Sequence, residues 1–119
     1  MAKAVRVHQV GGPEALIYES IDLPPPGSGE VHIRQHAVGL NFIDVYYRTG
    51  LYKAPSLPFV AGNEAAGEVM SVGPGVTDFH PGDRVAYYAN LGGYATERNI
   101  AADKLVKLPD HITYEQGAV

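Results

Sequence analysis

A chain of 119 residues has room for one domain, and its 45 % hydrophobic and 18 % charged residues are typical of a soluble globular protein. Nine basic and thirteen acidic residues give a net charge of −4, without the run of Lys or Arg that would indicate a nucleic-acid-binding surface. The chain has no cysteine, which excludes disulfides, cysteine-ligated zinc and a thiolate nucleophile.

The sequence shows no membrane or export signal. No apolar run reaches the roughly 18 residues that a membrane span needs, and the first residues lack the apolar segment of a signal peptide. We therefore expect a cytoplasmic protein that does not bind a membrane.

Short strands joined by turns dominate the predicted secondary structure. Fourteen glycines and nine prolines separate segments that are rich in Val, Ile, Ala and Tyr. The clearest alternation predicts that Val31, Ile33 and Ala37 face inward, and tight turns are predicted at 74–75 and 81–83. These signals favour a mainly β, barrel-like domain with short helices. In chain order, the predicted strands are residues 4–10, 16–23, 31–39, 68–72, 84–88, 94–100 and 104–108.

Two segments have helical signals. Residues 42–48 follow Asn41, a favourable N-cap, and end near Gly50. A second helix is predicted to begin at Thr113, which forms a capping-box pattern with Gln116. Because only three residues follow Gln116, we expect this chain to be a fragment of a longer protein.

One group of polar residues around the first helix has the chemistry of a ligand site. The amide of Asn41, the carboxylate of Asp44 and the rings of Tyr46 and Tyr52 suit a planar ligand with an oxygen to polarise. The alternative is structural: Asn41 caps the helix, with Asp44 in its first turn or paired with Arg48.

A second group, Asn63 and Glu64, lies between Gly62 and Gly67. The glycines permit close backbone packing, which would direct the two polar side chains into a cleft. The alternative is a turn that enters a strand, with Glu64 paired to a base such as Arg84.

The sequence predicts neither a metal site nor a dinucleotide fingerprint. The five histidines are scattered, and His32 and His36 would lie about 13 Å apart along a strand, too far for one metal ion. No G-x-G-x-x-G follows a predicted strand.

Seven motifs occur along the chain in a fixed order: GGPE (11–14), VGLNFID (38–44), RTGLY (48–52), LPFVAGNEAAG (57–67), VGPGV (72–76), GDRV (82–85) and GGYA (92–95). Together they resemble the N-terminal half of the medium-chain dehydrogenase/reductase superfamily, especially its quinone oxidoreductase branch of zeta-crystallin-like NADPH:quinone reductases. The resemblance runs over essentially the whole chain, and the ordered set is far more specific than any single motif.

The resemblance also separates this chain from the zinc enzymes of that superfamily. Zinc alcohol dehydrogenases have Cys at the position of Asn41 and His at the position of Asn63, and a four-cysteine lobe where residues 86–93 lie here. Amides are weak zinc ligands compared with thiolate and imidazole. The resemblance therefore implies an enzyme without zinc.

The resemblance implies a GroES-like, partly open β-barrel over residues 1–119, followed in the complete protein by a Rossmann cofactor domain that is absent from this chain. It further implies hydride transfer from NADPH to a quinone in the cleft between the two domains, in a homodimer. The isolated fragment is then expected to be inactive.

Site residues are carried over from the resemblance as well. Asn41 and Tyr46 would contact the nicotinamide of NADPH, and Tyr52 would lie near the quinone, with the proton supplied by Tyr52 or by solvent. Asn41, Asp44 and Tyr52 are the expected catalytic residues. The residues expected to line the substrate cleft are Tyr46, Tyr52, Asn63 and Glu64.

Two other functions stay open. A zinc-free enone reductase of the same superfamily would use nearly the same hydride chemistry on a conjugated C=C bond. A stand-alone GroES-like binding module is the other, although the long mobile Gly/Ser/Thr-rich loop of a co-chaperonin is missing from the sequence.

Overall fold

Eight strands in two sheets dominate residues 2–119, the part of the chain that this computed structural model describes. Two helices, α1 (Phe42–Thr49) and α2 (Tyr114–Gly117), and two single turns of 3₁₀ helix, Pro13–Ala15 and Ala102–Lys104, complete it. The strands are β1 (Lys3–Val7), β2 (Leu16–Ser20), β3 (Glu30–Val38), β4 (Phe59–Val60), β5 (Ala65–Val72), β6 (Arg84–Tyr87), β7 (Glu97–Ala101) and β8 (Val106–Lys107).

Both sheets are antiparallel. One has the order β2-β1-β4 and the other β7-β3-β5-β6-β8. A single bridge between Ala4 and Ala95 connects β1 to the segment before β7, and the sheets do not close into a barrel. The predicted mainly β, partly open architecture with short helices is confirmed.

The larger apolar core lies against the five-stranded sheet. Val31 and Ile33 of β3, Val69 of β5 and Val85 of β6 are at most 1 % exposed. The inward orientation predicted for Val31 and Ile33 is therefore confirmed. Ala37 keeps the same parity but is only half-buried, and it follows a bulge at His36 in the pairing of β3 with β5.

A smaller core lies under the three-stranded sheet. It contains Val7, Phe59 and Ala61, and Tyr94 packs against it from the loop before β7. Phe59 belongs to β4, a two-residue strand that the sequence analysis missed because two residues cannot show a period of two.

Several predicted strand limits were wrong. The first two strands end at Val7 and Ser20, earlier than predicted. The strand predicted at 94–100 begins only at Glu97, because the main chain of Tyr94 bonds to Val5 of β1 and to Ala61, the residue after β4. The segment predicted at 104–108 divides into a 3₁₀ turn and the short β8.

Helix α2 packs on the five-stranded sheet through one aromatic ring. The ring of Tyr114 stacks on the imidazole of His36 at a centroid distance of 4.2 Å, and the Arg84 guanidinium lies 4.7 Å from the same ring. The predicted capping box of Thr113 and Gln116 is confirmed. Neither helix in residues 2–119 combines the length and apolarity that a membrane crossing requires.

Candidate active site

The first turn of α1 is built as the sequence predicts. Asn41 is the N-cap with extended backbone angles, and its main-chain N–H donates to Oδ2 of Asp44 at 3.1 Å. Gly50 caps the C-terminal end of the helix, and its φ of +89° is a conformation that glycine adopts without strain. The structural role considered for Asn41 and Asp44 is therefore real, but it does not use all of their polar groups.

Asp44 is a buried carboxylate that is held by three donors. It is 5 % exposed, and its neighbour Asn63 is 3 % exposed. Besides the Asn41 main chain, Nδ2 of Asn63 donates to Oδ1 at 2.9 Å and the Tyr94 hydroxyl donates to Oδ2. A buried charge needs such donors to offset the lost hydration. The pairing of Asp44 with Arg48 was wrong, since Arg48 donates to the Gly11 carbonyl.

Glu64 joins this group through the side chain of Asn41. Nδ2 of Asn41 donates to Oε1 of Glu64 at 2.9 Å, and the carboxylate packs against the Cα of Gly39, where a Cβ would lie 2.2 Å from Oε1. The alternative pairing with Arg84 was wrong, because that guanidinium donates to the carbonyls of Pro109 and Ile112.

The structure thus brings together five polar side chains from three separate parts of the chain. We call Asn41, Asp44, Asn63, Glu64 and Tyr94 the amide–carboxylate cluster. Each amide nitrogen carries two hydrogens, and one hydrogen of each side-chain amide is engaged by a carboxylate. The cluster therefore holds two amides in fixed orientations, an arrangement suited to binding a polar ligand rather than to nucleophilic attack.

Tyr94 is the member of the cluster that the sequence analysis did not identify. It lies in a loop, and its ring packs against Gly62 so closely that a Cβ at that glycine would be 2.4 Å from the ring. Burial, followed by the hydrogen bond to Asp44 and its negative charge, raises the pKa of the Tyr94 hydroxyl above its usual range. The local signal was the Gly92-Gly93-Tyr94 sequence, which places an aromatic residue after a turn that permits close approach.

Tyr46 and Tyr52 lie outside the hydrogen-bonded cluster. Their side chains are 38 % and 46 % exposed, and the rings meet edge to face with centroids 5.3 Å apart. The Tyr52 N–H donates to the Tyr46 carbonyl at 3.1 Å, which fixes the loop after α1 against the helix. The two predicted ligand-binding tyrosines therefore form one exposed aromatic pair.

Apolar groups surround the polar cluster. Leu40 and Phe42, on either side of Asn41, are 82 % and 84 % exposed. A cavity of about 220 Å³ has Asp44 and Tyr94 among its lining residues, together with apolar side chains that include Leu40 and Val45. The cluster thus lies beside an open apolar surface, as in a cleft that receives an organic ligand.

The part of the chain from residue 2 to residue 119 contains no group of three or more His, Cys, Asp or Glu side chains that could hold a metal ion. The histidines are dispersed, and His32 pairs with Glu97 at 2.8 Å while the other four are exposed.

Comparison with known proteins identifies the fold and its relatives. Residues 27–110 match the family model of the alcohol dehydrogenase GroES-like domain. The chain is 52 % identical to a quinone oxidoreductase of Pseudomonas aeruginosa, over 99 % of this chain and 37 % of the relative. It is 42 % identical to a 2-haloacrylate reductase of a Burkholderia species, over 92 % of this chain and 34 % of that protein.

Solved structures give the same result. A quinone oxidoreductase of Pseudomonas syringae matches with a TM-score of 0.96 and 49 % identity, over 99 % of this chain and 37 % of that one. The Escherichia coli quinone oxidoreductase complexed with NADPH matches with a TM-score of 0.94 and 44 % identity, over 98 % of this chain and 36 % of that one. The chain therefore spans little more than a third of the length of these relatives.

Proposed function

We propose that this chain is the catalytic domain of an NADPH-dependent quinone reductase. The proposal starts from its family, because the chain belongs to the alcohol dehydrogenase GroES-like domain family and to its quinone oxidoreductase branch. The resemblance predicted from the motifs is confirmed, and so is the GroES-like fold. The proposal includes a separate nicotinamide-binding domain in the complete protein, homodimerisation, and a cytoplasmic location.

The observation that supports this function best is the amide–carboxylate cluster. Asn41 and Asn63, at the positions of the metal-ligating residues of zinc enzymes, are hydrogen-bonded to Glu64 and Asp44. Neutral amides bind zinc weakly, and these two already have protein partners. The donor set therefore fits an organic ligand with oxygen and amide groups better than a metal ion.

The residues present also fit the nicotinamide end of NADPH. Tyr46 offers an exposed ring for a flat heterocycle, and Asn41 offers an oriented amide for a carboxamide. When bound, NADPH supplies a hydride, which together with one proton reduces a quinone to its quinol and leaves NADP⁺. The complex of the E. coli relative with NADPH supports this choice of cofactor.

The remaining residues have distinct proposed roles. Tyr52, with its exposed hydroxyl, lies beside Tyr46 and would contact the quinone, whose proton comes from this hydroxyl or from solvent. Glu64 orients Asn41, and Asp44 with Asn63 supports the first turn of α1. Catalysis would depend on holding the quinone close to the nicotinamide in the orientation that hydride transfer requires. It would also depend on hydrogen bonds to the negative charge that develops on the quinone oxygen.

A second candidate is the reduction of a C=C bond conjugated to a carbonyl group. The 42 % identity to a 2-haloacrylate reductase favours it, as does the match to a solved structure of such an enzyme, with a TM-score of 0.87. The same cluster would serve, since hydride addition to an enone also develops negative charge on the carbonyl oxygen.

The test uses the complete protein with NADPH and either 1,4-benzoquinone or 2-chloroacrylate, followed by the loss of NADPH absorbance. We expect oxidation with the quinone, and a rate lowered by about tenfold to a hundredfold in the Asn41→Ala, Tyr46→Ala double variant. Tyr18→Phe, at a 63 % exposed tyrosine of β2, is the matched control.

The outcomes separate the two candidates. Turnover with 2-chloroacrylate alone would favour the second, and turnover with neither acceptor would reject both. An undiminished rate in the double variant would reject the assignment of these site residues.

A further inference from the structure

We propose that Tyr94 is a positioning residue of this active site, acting through Asp44 on the orientation of Asn41; the inference rests on the proposed function. Its hydroxyl donates to the same carboxylate oxygen, Oδ2 of Asp44, that accepts the main-chain N–H of Asn41. The tyrosine and the helix N-cap are therefore joined through one atom. The side-chain amide of Asn41 extends from that N-cap toward Glu64.

The main chain of Tyr94 is fixed on both sides. Its N–H donates to the carbonyl of Ala61 at 2.8 Å, and its own carbonyl accepts the N–H of Val5 at 2.8 Å. Gly62, at φ +93°, lies against the ring with no space for a Cβ. The main chain and the ring of Tyr94 are thus fixed against the three-stranded sheet and the segment that follows β4, which holds the hydroxyl in place.

A half-buried glutamine, Gln35, fixes the neighbouring residues of the same loop. Nε2 of Gln35 donates to the carbonyls of Gly93 and Ala95, at 2.9 and 2.8 Å. Oε1 of Gln35 in turn accepts the hydroxyl of Tyr87, a residue that is 4 % exposed. Tyr94 is therefore flanked by two anchored residues, so its hydroxyl has little freedom to follow Asp44 if the carboxylate moves.

Removing the Tyr94 hydroxyl would leave the buried Asp44 carboxylate with one donor fewer. Oδ2 of Asp44 would then keep a single donor, the N–H at the start of α1, while Oδ1 keeps Asn63. A buried carboxylate that loses a donor turns toward the remaining ones or admits water. Either response displaces the first turn of α1, and the amide of Asn41 moves with it.

The Tyr94 side chain stays a donor over a wide pH range. Burial is the largest cause of its raised pKa, and the bond to Asp44 and its charge add to it. The groups facing the hydroxyl are the Asp44 carboxylate and, through that carboxylate, the uncharged amide of Asn63. Arg48, which lines the same cavity, has its guanidinium bonded to the Gly11 carbonyl.

The first test is Tyr94→Phe in the complete protein, which keeps the ring and removes only the hydroxyl. With NADPH and 1,4-benzoquinone we expect kcat to fall about tenfold, while the KM for NADPH changes less than about twofold. Tyr88→Phe, at a tyrosine of the same loop that is 67 % exposed, should leave both constants unchanged. An unchanged kcat in Tyr94→Phe, or an equal loss in Tyr88→Phe, would overturn the proposal.

A second measurement distinguishes positioning from general support of the fold. Replacing Tyr94 by 3,5-difluorotyrosine keeps the shape but lowers the pKa of the phenol. We expect the alkaline loss of kcat to begin at a lower pH than in the unmodified protein. A profile that does not shift would overturn the proposal, even if Tyr94→Phe cannot be folded.

A structural readout separates this inference from the proposed function. If the complete protein reduces no quinone, the proposed function fails, and Tyr94 is then tested by comparing crystal structures with and without its hydroxyl. We expect the separation of Asn41 Nδ2 and Glu64 Oε1 to increase in Tyr94→Phe. An unchanged separation would overturn the role of Tyr94.

Discussion

The five-stranded sheet and the amide–carboxylate cluster are built on opposite principles. The core of the sheet consists of interchangeable apolar side chains, such as Val31, Ile33 and Val85, which are fully buried. In the cluster, by contrast, two carboxylates and two amides are held by individual hydrogen bonds at 2.9–3.1 Å. We infer that the first region determines whether the chain folds, and the second whether the folded domain can bind and orient a ligand.

The largest expected effect tests the sheet side of this comparison. Ile33→Ala removes a fully buried side chain from the centre of β3 and should lower the free energy of unfolding by about 2–5 kcal/mol. Ile33→Val, the graded control, should cost about 0.5–1.5 kcal/mol. Urea denaturation measures the free energy of unfolding of each variant. A smaller decrease in Ile33→Ala than in Ile33→Val would contradict the packing role that we assign to Ile33.

The next effect tests the cluster side. In Gly39→Ala the new Cβ would lie 2.2 Å from Oε1 of Glu64 and 2.6 Å from the Ala118 carbonyl. Glu64 must then move away from Asn41, so we expect the proposed quinone reduction by the complete protein to fall about tenfold to a hundredfold. Gly11→Ala is the matched control, because its Cβ would meet its nearest neighbours at an ordinary 3.8 Å. Equal rates in the two variants would show that the cluster tolerates displacement.

The smallest effect belongs to the exposed face of the three-stranded sheet. Glu19 accepts hydrogen bonds from His8 and Arg6, which lower the pKa of its carboxyl below the usual 4.5. A lowered folded-state pKa contributes stability above 4.5 that is lost as the pH falls through the folded value. The stability difference between wild type and Glu19→Gln should therefore be present at pH 7 and shrink below pH 4.5. A difference that grows on acidification would contradict this assignment.

The sequence alone was sufficient to predict the structural features that depend only on neighbouring residues. Alternation identified the buried side of β3 at Val31 and Ile33, and the cap at Asn41 with Gly50 eight residues after Phe42 defined α1. These features follow from a period of two and from the unpaired backbone groups at helix ends. The order of the seven motifs along the chain indicated the family.

Contacts between distant segments could not be derived in that way. Asp44 meets Asn63 from 19 residues away and Tyr94 from 50 residues away, and no periodicity encodes such distances. The charge pairs predicted for Asp44 and Glu64 failed for the same reason. Opposite charge alone does not reveal that a backbone carbonyl or an amide is nearer.

The bulge in β3 has a consequence for how such a domain can change. His36 has no partner of its own between the pairs Gln35–Gly67 and Ala37–Ala66, so one extra residue separates the part of β3 that carries the buried Val31 and Ile33 from the part that leads to Asn41. Residues ahead of the bulge can be conserved for packing while those that lead to Asn41 are altered. Sequence variation after the bulge could thus change the ligand that this scaffold binds without rebuilding its interior.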